Sequence, residues 1–148
     1  MPAALEIKAD SPDGYRALAG LTRAGLTDHV LGEEVKLVAS HMNGCSYCVA
    51  AHTEGARKAG VDEARIAATA DWTASDLFDA RERAAFALTD LLTDSQRLPH
   101  APHDGARPIW DDAVAHFPGE ELTRLVLTIV AINAWNRAMI SEEAFAQG

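Results

Sequence analysis

Two cysteines and a histidine lie within one short stretch of the chain and are its strongest candidates for chemistry. Cys45 and Cys48 are three residues apart, His52 follows four residues later, and the 148-residue chain has no other cysteine. The pair Asn43-Gly44 just before them breaks the preceding helical pattern. Asn43 is a good N-cap for a second helix that runs to about residue 59. Both cysteines would then lie in the first turn or so of that helix.

The start of a helix favours the chemistry of a reactive thiol. Unpaired backbone N–H groups and the positive end of the helix dipole stabilise a thiolate, which lowers the pKa of the thiol. Spacings of three and four place Cys45, Cys48 and His52 on one face of the helix. Cysteines three apart on a helix are near enough to close a disulfide with little backbone movement. The pattern predicts a dithiol that opens and closes, with an imidazole beside it.

Two other interpretations of the same residues stay open. Cysteines are often small core residues, although this spacing beside a helix start favours a functional role. A zinc site is the second alternative, because Cys45, Cys48, His52 and His41 together offer two sulfurs and two nitrogens. Structural zinc sites usually join two separated ligand pairs across a loop. Three of these ligands share one short helix, so we expect no metal.

Three segments of the chain resemble the carboxymuconolactone decarboxylase family, specifically its alkylhydroperoxidase D-like branch. The first segment contains Glu33, Ser40, Asn43, Gly44, Cys45, Tyr47, Cys48 and His52. The second contains Trp72, Ser75, Leu77, Phe78, Glu82, Arg83 and Ala84. The third is the sequence AINAWNR at residues 131–137. The resemblance extends from about residue 10 to residue 141, and the joint pattern is specific where a CxxC alone would be weak.

The resemblance implies an activity and a set of site residues. In the well-studied members a dithiol reduces peroxides, and a glutamate and a histidine form a proton relay to it. Carried over by position, the catalytic residues are Cys45, Cys48, His52 and Glu33. Cys48 would react with peroxide and Cys45 would be its exposed partner, with no haem, flavin or metal cofactor. The sequence departs from the best-known peroxidases at Tyr47, where they have a histidine between the cysteines.

The predicted function is therefore that of an alkylhydroperoxidase-like, thiol-dependent peroxidase. Its expected partners are a small-molecule hydroperoxide and a dithiol reductant, either a protein or a lipoamide-like carrier. The resemblance also implies a homo-oligomer, since trimers and hexamers are common in the family. One alternative is a dithiol sensor or chaperone-like oligomer without turnover. The other is a lactone decarboxylase of the same family, whose branch generally lacks the CxxC.

Two adjacent glutamates interrupt the apolar pattern of the helix that begins at Thr27 or Asp28. Glutamate is usually a solvated surface charge, and we expect that of Glu34. The family pattern instead places Glu33 inside the site. There it would hold and pass a proton, provided that partial burial raises its pKa.

Helical patterns cover most of the chain, and no strand pattern or repeat of solenoid period is present. The sequence predicts an all-α, AhpD-like bundle of about seven helices, with residues 1–10 as a loose arm and 11–148 as one helical domain. The pattern at residues 122–140 is apolar on nearly every side, which predicts burial in the domain centre or between subunits. Asn133 and Asn136 on that helix would then need hydrogen-bond partners.

Charge and composition exclude several classes of partner. A net charge of −9 argues against nucleic acid and anionic membranes. No apolar run reaches the length of a membrane span, and residues 1–10 lack the apolar core of a signal peptide. A CxxC without further cysteines in such a chain fits a reducing cytoplasm, the expected location.

Overall fold

The computed structural model describes residues 4–101 and 103–146, and these residues form helices and no strands. The eight α-helices are α1 (Ile7–Asp10), α2 (Pro12–Arg23), α3 (His29–Asn43), α4 (Ser46–Lys58), α5 (Glu63–Ala68), α6 (Ala80–Thr93), α7 (Arg107–His116) and α8 (Glu120–Phe145). Two 3-10 helices, Thr69–Ala74 and Leu98–His100, complete the order. The predicted all-α fold class is confirmed, and its seven helices correspond to α2 through α8.

The eighth helix, α1, lies in the segment that the sequence predicts to be a loose arm. It is a single turn, and the backbone N–H of Ile7 donates a hydrogen bond to the carboxylate of Glu142 on α8. Residues 1–3 of the arm and residues 147–148 of the domain lie outside the described residues. The division of the chain at residue 10 therefore stays a prediction.

Side-chain caps explain where four of the helices begin. The hydroxyl of Ser11 accepts from the N–H of the third residue of α2, and Asp28 and Asp62 cap α3 and α5 in the same way. At the start of α6, Asp79 and Glu82 form a reciprocal capping box. These caps satisfy backbone donors that would otherwise lack partners. Apart from α4, which is described below, the helix starts expected from the sequence are thus close to the observed ones.

The centre of the bundle is α3, which packs against α4, α6 and α8. Leu125, Ile129 and Ile132 of α8 are almost completely buried, so one face of this apolar helix lies inside the domain, and burial of the rest between subunits stays a prediction. Val130 on the same helix is nevertheless 47% exposed. No part of α8 or of any other helix in the described ranges is long and apolar enough to cross a membrane.

A network of amide side chains joins the end of α3 to the middle of α8. The Nδ2 group of Asn43 donates to Oδ1 of both Asn133 and Asn136, each at 2.9 Å. Asn136 is fully buried and donates to the hydroxyl of Ser40 at 3.0 Å. The two asparagines of α8 therefore have the partners that their burial demands. This network fixes the C-terminal end of α3, from which the chain turns into the cysteines.

Candidate functional site

A left-handed turn at Gly44 connects α3 to the first cysteine. Gly44 has a φ of 68°, which glycine adopts without a steric penalty. The N–H of Cys45 donates to the carbonyl of Ser40 at 3.1 Å and closes the end of α3. Cys45 is itself the N-cap of α4, and its Sγ accepts from the N–H of Cys48 at 3.3 Å. Both cysteines therefore lie at the start of α4, as the sequence predicts.

The predicted N-cap of this helix is wrong. Asn43 is the last residue of α3 rather than the cap of α4. The physical reason is the amide network, because the side chain of Asn43 donates to the asparagines of α8. The cap therefore falls two residues later, on Cys45.

The two cysteines are joined by a disulfide and are both buried. Their Cα atoms are 5.2 Å apart, and the exposed fractions are 1% for Cys45 and 3% for Cys48. The expectation that Cys45 is the exposed partner is therefore wrong. The hydrogen bond between its backbone and Ser40 holds the turn against the end of α3, and the side chain points inward.

Glu33 and His52 meet where α3 packs on α4. Oε2 of Glu33 lies 2.8 Å from Nδ1 of His52, and Oε1 accepts from Nζ of Lys36 at 2.8 Å. Burial alone would raise the pKa of Glu33, but the hydrogen bonds from His52 and Lys36 outweigh it, so the pKa lies below its ordinary value. This contradicts the raised pKa expected from the sequence. Glu33 is a carboxylate at neutral pH.

The charge of Glu33 determines how His52 presents its ring. A carboxylate only accepts hydrogen bonds, so Nδ1 of His52 carries the hydrogen that lies between the two residues. The other ring nitrogen, Nε2, is then the basic atom of the neutral imidazole. Glu33 thus orients the imidazole, in the way that carboxylates commonly orient functional histidines.

Glu34 is a buried ion-pair partner, and its prediction as a solvated surface charge is wrong. Its side chain is 0% exposed and accepts two hydrogen bonds from the guanidinium of Arg65, at 3.0 and 3.1 Å. Arg65 also donates to Glu82 at 2.6 Å. Burial raises the pKa of Glu34 to about 7, although Arg65 opposes this. The two glutamates differ because successive helical residues project about 100° apart.

A cavity of about 370 Å³ opens beside Cys48 and His52, between α2, α3, α4 and α8. Its lining residues are Tyr15, Ala19, Thr22, Arg23, Lys36, Tyr47, Cys48, Ala51, His52, Thr128, Ala131, Ile132, Trp135 and Met139. Cys45 is not among them, so only one of the two cysteines lines the cavity. Tyr47, which replaces the histidine of the best-known peroxidases, is 62% exposed.

The fourth possible zinc ligand does not join the cysteines. His41 lines a different cavity, together with Trp72 and Asp90. Burial lowers the pKa of His41 and raises that of Asp90 to about 6. The four-ligand set considered from the sequence is therefore not assembled. The expectation that the protein needs no metal stays a prediction.

Fold and site together define an all-helical protein with a CxxC disulfide beside a carboxylate–histidine pair. Residues 10–91 match the carboxymuconolactone decarboxylase family. The uncharacterized protein YdfG of Bacillus subtilis (strain 168) is 32% identical over 136 residues, covering 88% of each chain. This chain therefore belongs to the carboxymuconolactone decarboxylase family, and the resemblance found in the sequence is confirmed.

A solved structure shows the same fold over almost the whole chain. It is a protein of unknown function from Agrobacterium tumefaciens, described as a candidate antioxidant defence protein AhpD. The likeness has a TM-score of 0.82 at 28% identity, and covers 98% of this chain and 96% of that one. The fold is thus AhpD-like, as the sequence predicts.

Several residues of the site are absent from the sequence-based prediction. Lys36 carried a signal, because it follows Glu33 by three residues, the spacing of a helical ion pair. Gly55, against which the carboxylate of Glu33 packs, carried another, since a glycine inside a helical pattern often has a packing reason. Arg23 carried none, because its placement at the cavity depends on how α2 packs. Trp135 lies in the family-like segment 131–137, but nothing in the sequence placed it beside Cys48.

Proposed function

We propose that this chain is a thiol-dependent peroxidase that reduces hydroperoxides through a dithiol/disulfide cycle of Cys45 and Cys48. The observation that carries the proposal is the placement of Cys48. It is the third residue of α4, it forms a disulfide with Cys45, and it lines a cavity with His52. A hydroperoxide in this cavity would meet a sulfur, a helix N-terminus and an imidazole together.

The proposed cycle begins with the reduced dithiol. The thiolate of Cys48 attacks the terminal oxygen of the hydroperoxide, the O–O bond breaks, and the departing alkoxide takes a proton to leave as an alcohol. Cys48 is then a sulfenic acid. The thiol of Cys45 displaces its hydroxyl as water and forms the disulfide. An external dithiol reduces this disulfide by exchange and becomes a disulfide itself.

In this cycle His52 and Glu33 handle the protons. His52 is one helical turn beyond Cys48, so its Nε2 can take the thiol proton directly or through one water. The resulting imidazolium is stabilised by the Glu33 carboxylate at its Nδ1. The same imidazolium can return its proton to the departing alkoxide. The start of α4 adds to the stability of the thiolate.

The proposal extends to the partners of the protein. The reductant would be a dithiol protein or a lipoamide-like carrier, and the substrate a small hydroperoxide. We also propose a homo-oligomer, a trimer or a hexamer, in a cytoplasmic setting. Two large apolar side chains of α8, Val130 and Phe145, are 47% and 65% exposed, and this exposure supports an intersubunit contact on α8.

Steady-state turnover tests the proposal. Reduced protein is mixed with hydrogen peroxide, tert-butyl hydroperoxide or cumene hydroperoxide, with dihydrolipoamide as reductant. Wild type should turn over, Cys48→Ser should be inactive, and Cys45→Ser should accumulate a sulfenic acid that a dimedone probe captures. The two variants are matched, since each removes one sulfur of the same disulfide.

The possible results separate the proposal from its alternatives. A disulfide that forms reversibly without peroxide turnover would indicate a dithiol sensor instead. Sulfenic acid that is captured on Cys48→Ser rather than on Cys45→Ser would overturn the assignment of the attacking sulfur. Lactone-acid decarboxylation that persists in both serine variants would favour the decarboxylase.

A further inference from the structure

The cavity beside Cys48 has one apolar wall, built mainly from aromatic side chains. Tyr15 of α2 and Trp135 of α8 pack edge to face, with ring centroids 5.0 Å apart. The indole N–H of Trp135 donates to the hydroxyl of Thr22 at 2.8 Å, so the polar atom of the ring already has its partner. Ile132 and Met139 continue this wall. The surface suits an alkyl or alkenyl chain rather than a polar molecule.

The charges that line the same cavity are all positive. Lys36 and Arg23 line it, and no acidic side chain of residues 4–101 and 103–146 does, although the chain as a whole carries a net charge of −9. Lys36 is held by Glu33 at 2.8 Å. Arg23 forms no ion pair with any residue in the described ranges, and its guanidinium folds back over Gly20. A free guanidinium beside an apolar wall is a typical receptor for a carboxylate.

The neighbouring cavity shows the opposite charge. Tyr15, Tyr47 and Met139 line both cavities and form the wall between them. The charged residues that line the second cavity are Glu6, Glu142, Glu143 and Lys8. Negative charge is thus concentrated on one side of this shared wall and positive charge on the side of Cys48. Such a separation would attract an anion to the cysteine side and repel it from the other.

From this lining we infer that the cavity takes an amphipathic molecule with an apolar chain and a carboxylate. The carboxylate binds at Arg23, assisted by Lys36, and the apolar chain lies along the wall of Tyr15 and Trp135. The lining identifies the apolar chain and the carboxylate of the ligand, and the hydroperoxide group rests on the proposed function. With peroxidase chemistry at Cys48, the substrate is a carboxylate-bearing organic hydroperoxide. It is reduced to the corresponding hydroxy acid, and water leaves as the disulfide forms.

A matched pair of substrates tests the inference. The hydroperoxide of an unsaturated fatty acid and its methyl ester differ only in the charge of the head group. Below their micelle concentrations, kcat/KM for the acid should exceed that for the ester by roughly ten- to a hundredfold, the worth of one charge-assisted hydrogen bond. Arg23→Gln should bring this ratio close to one.

The matched control is Arg16→Gln. Arg16 is on the same helix as Arg23 and loses the same charge, but it pairs with Asp13 and does not line the cavity. For Arg16→Gln, the ratio of kcat/KM for the acid to kcat/KM for the ester should equal that of wild type. An acid-to-ester ratio of kcat/KM near one in wild type would overturn the inference, and so would an unchanged ratio in Arg23→Gln. In either case, turnover of peroxide would leave the proposed peroxidase activity intact.

A binding measurement separates the two proposals further. Calorimetry compares the binding of dodecanoate with that of 1-dodecanol to the disulfide form of the protein. Dodecanoate should bind at least about tenfold more tightly in wild type and lose this advantage in Arg23→Gln. Such binding without turnover of any hydroperoxide would support the anionic ligand and overturn the peroxidase. Equal binding of both compounds would overturn the carboxylate.

Discussion

The carboxylate of Glu33 lies against Gly55 so closely that no other residue fits at position 55 without moving it. A Cβ atom built on Gly55 would be 2.5 Å from Oε2 of Glu33 and 2.9 Å from its Cδ. Gly55 is on α4, three residues after His52. The absence of a side chain there lets α3 bring Glu33 to the imidazole. The contact between Glu33 and His52 thus depends on Gly55, a residue that has no side chain.

Gly55→Ala should separate Glu33 from His52 without unfolding the protein. The atoms in the way belong to the far end of a flexible side chain, so Glu33 can move aside. Alanine also stabilises a helix interior over glycine, by roughly 0.5–1 kcal/mol. Peroxide turnover should fall roughly tenfold or more, through loss of general acid–base help. Steady-state kinetics measures the turnover, and the NMR signal of the hydrogen on Nδ1 of His52 reports the contact with Glu33.

Gly32→Ala provides the control for this prediction. Gly32 is on α3, and a Cβ atom there would meet no atom within 4 Å. The variant should keep full turnover and the wild-type NMR signal of the hydrogen on Nδ1 of His52. If Gly55→Ala behaves like Gly32→Ala in both measurements, the proposed dependence of the Glu33–His52 contact on Gly55 is wrong.

Replacing either member of the Glu33–His52 pair should slow turnover. We expect Glu33→Gln and His52→Phe each to reduce it by roughly ten- to a thousandfold, as loss of general acid–base catalysis does. The disulfide should still form under strong oxidant, because that reaction needs only the two sulfurs. Stopped-flow oxidation and thiol counting distinguish the two steps. Full activity in a normally folded His52→Phe would mean that the helix start alone activates the thiol.

The control for Glu33→Gln must be an exposed glutamate. Glu34 is unsuitable, because it is buried in an ion pair. Glu54 on α4 is suitable: its carboxylate is largely exposed and lies 3.8 and 3.9 Å from the cations of Arg57 and Lys58. Surface pairs of this kind contribute little, typically about 0–1 kcal/mol. Glu54→Gln should therefore be almost silent in both turnover and stability.

The stability of the protein should depend on the protonation of Glu34. Its pKa of about 7 in the folded protein lies above the ordinary value of 4.5. Between these values the folded state binds more protons than the unfolded state, so this contribution to stability falls as the pH rises. Urea unfolding at about pH 5 and about pH 8 should show the decline in wild type and a smaller one in Glu34→Gln. A rise with pH, relative to the variant, would show that the ion pair with Arg65 dominates instead.

Loss of Asn136 should destabilise the protein. Asn136→Ala would leave the buried hydroxyl of Ser40 without its donor, at about 1–3 kcal/mol, and would remove one of the two acceptors of the part-buried Asn43 amide. Chemical unfolding gives the free energy. Thr123→Ala, an exposed change on the same helix, should have little effect. Equal stability of both variants would mean that water replaces the amide in the network.

The local part of the site could be predicted from the sequence because helix geometry determines it. Cys45, Cys48 and His52 follow one another at spacings of three and four on one helical segment. The fold class was predictable for a similar reason, since helical patterns and caps such as those of Ser11 and Asp79 are local signals. Here the family resemblance and the helical periodicity indicate the same answer.

The parts that could not be predicted depend on packing between helices. Glu33 and Glu34 are neighbours of the same type, and the family resemblance placed Glu33 in the site where helix periodicity alone could not. The burial of Glu34 against Arg65 had no local signal, because it depends on how α5 packs on α3. Asn43 has the residue type of a cap, but the competing hydrogen bonds that its side chain donates to the asparagines of α8 decide its role. The sign of the charge inside the cavity likewise depends on Arg23, which no local pattern relates to Cys48.

One segment of 11 residues, from Cys45 to Gly55, carries the disulfide, the imidazole and the position that admits Glu33. Because these groups share one helix, their spacing is insensitive to how the other helices shift. Glu33 alone reaches them across an interface between helices. Gentle warming should therefore release Glu33 first and leave the sulfur–imidazole unit assembled. The protein would then lose its activity in two stages, with slowed catalysis preceding the failure of disulfide formation.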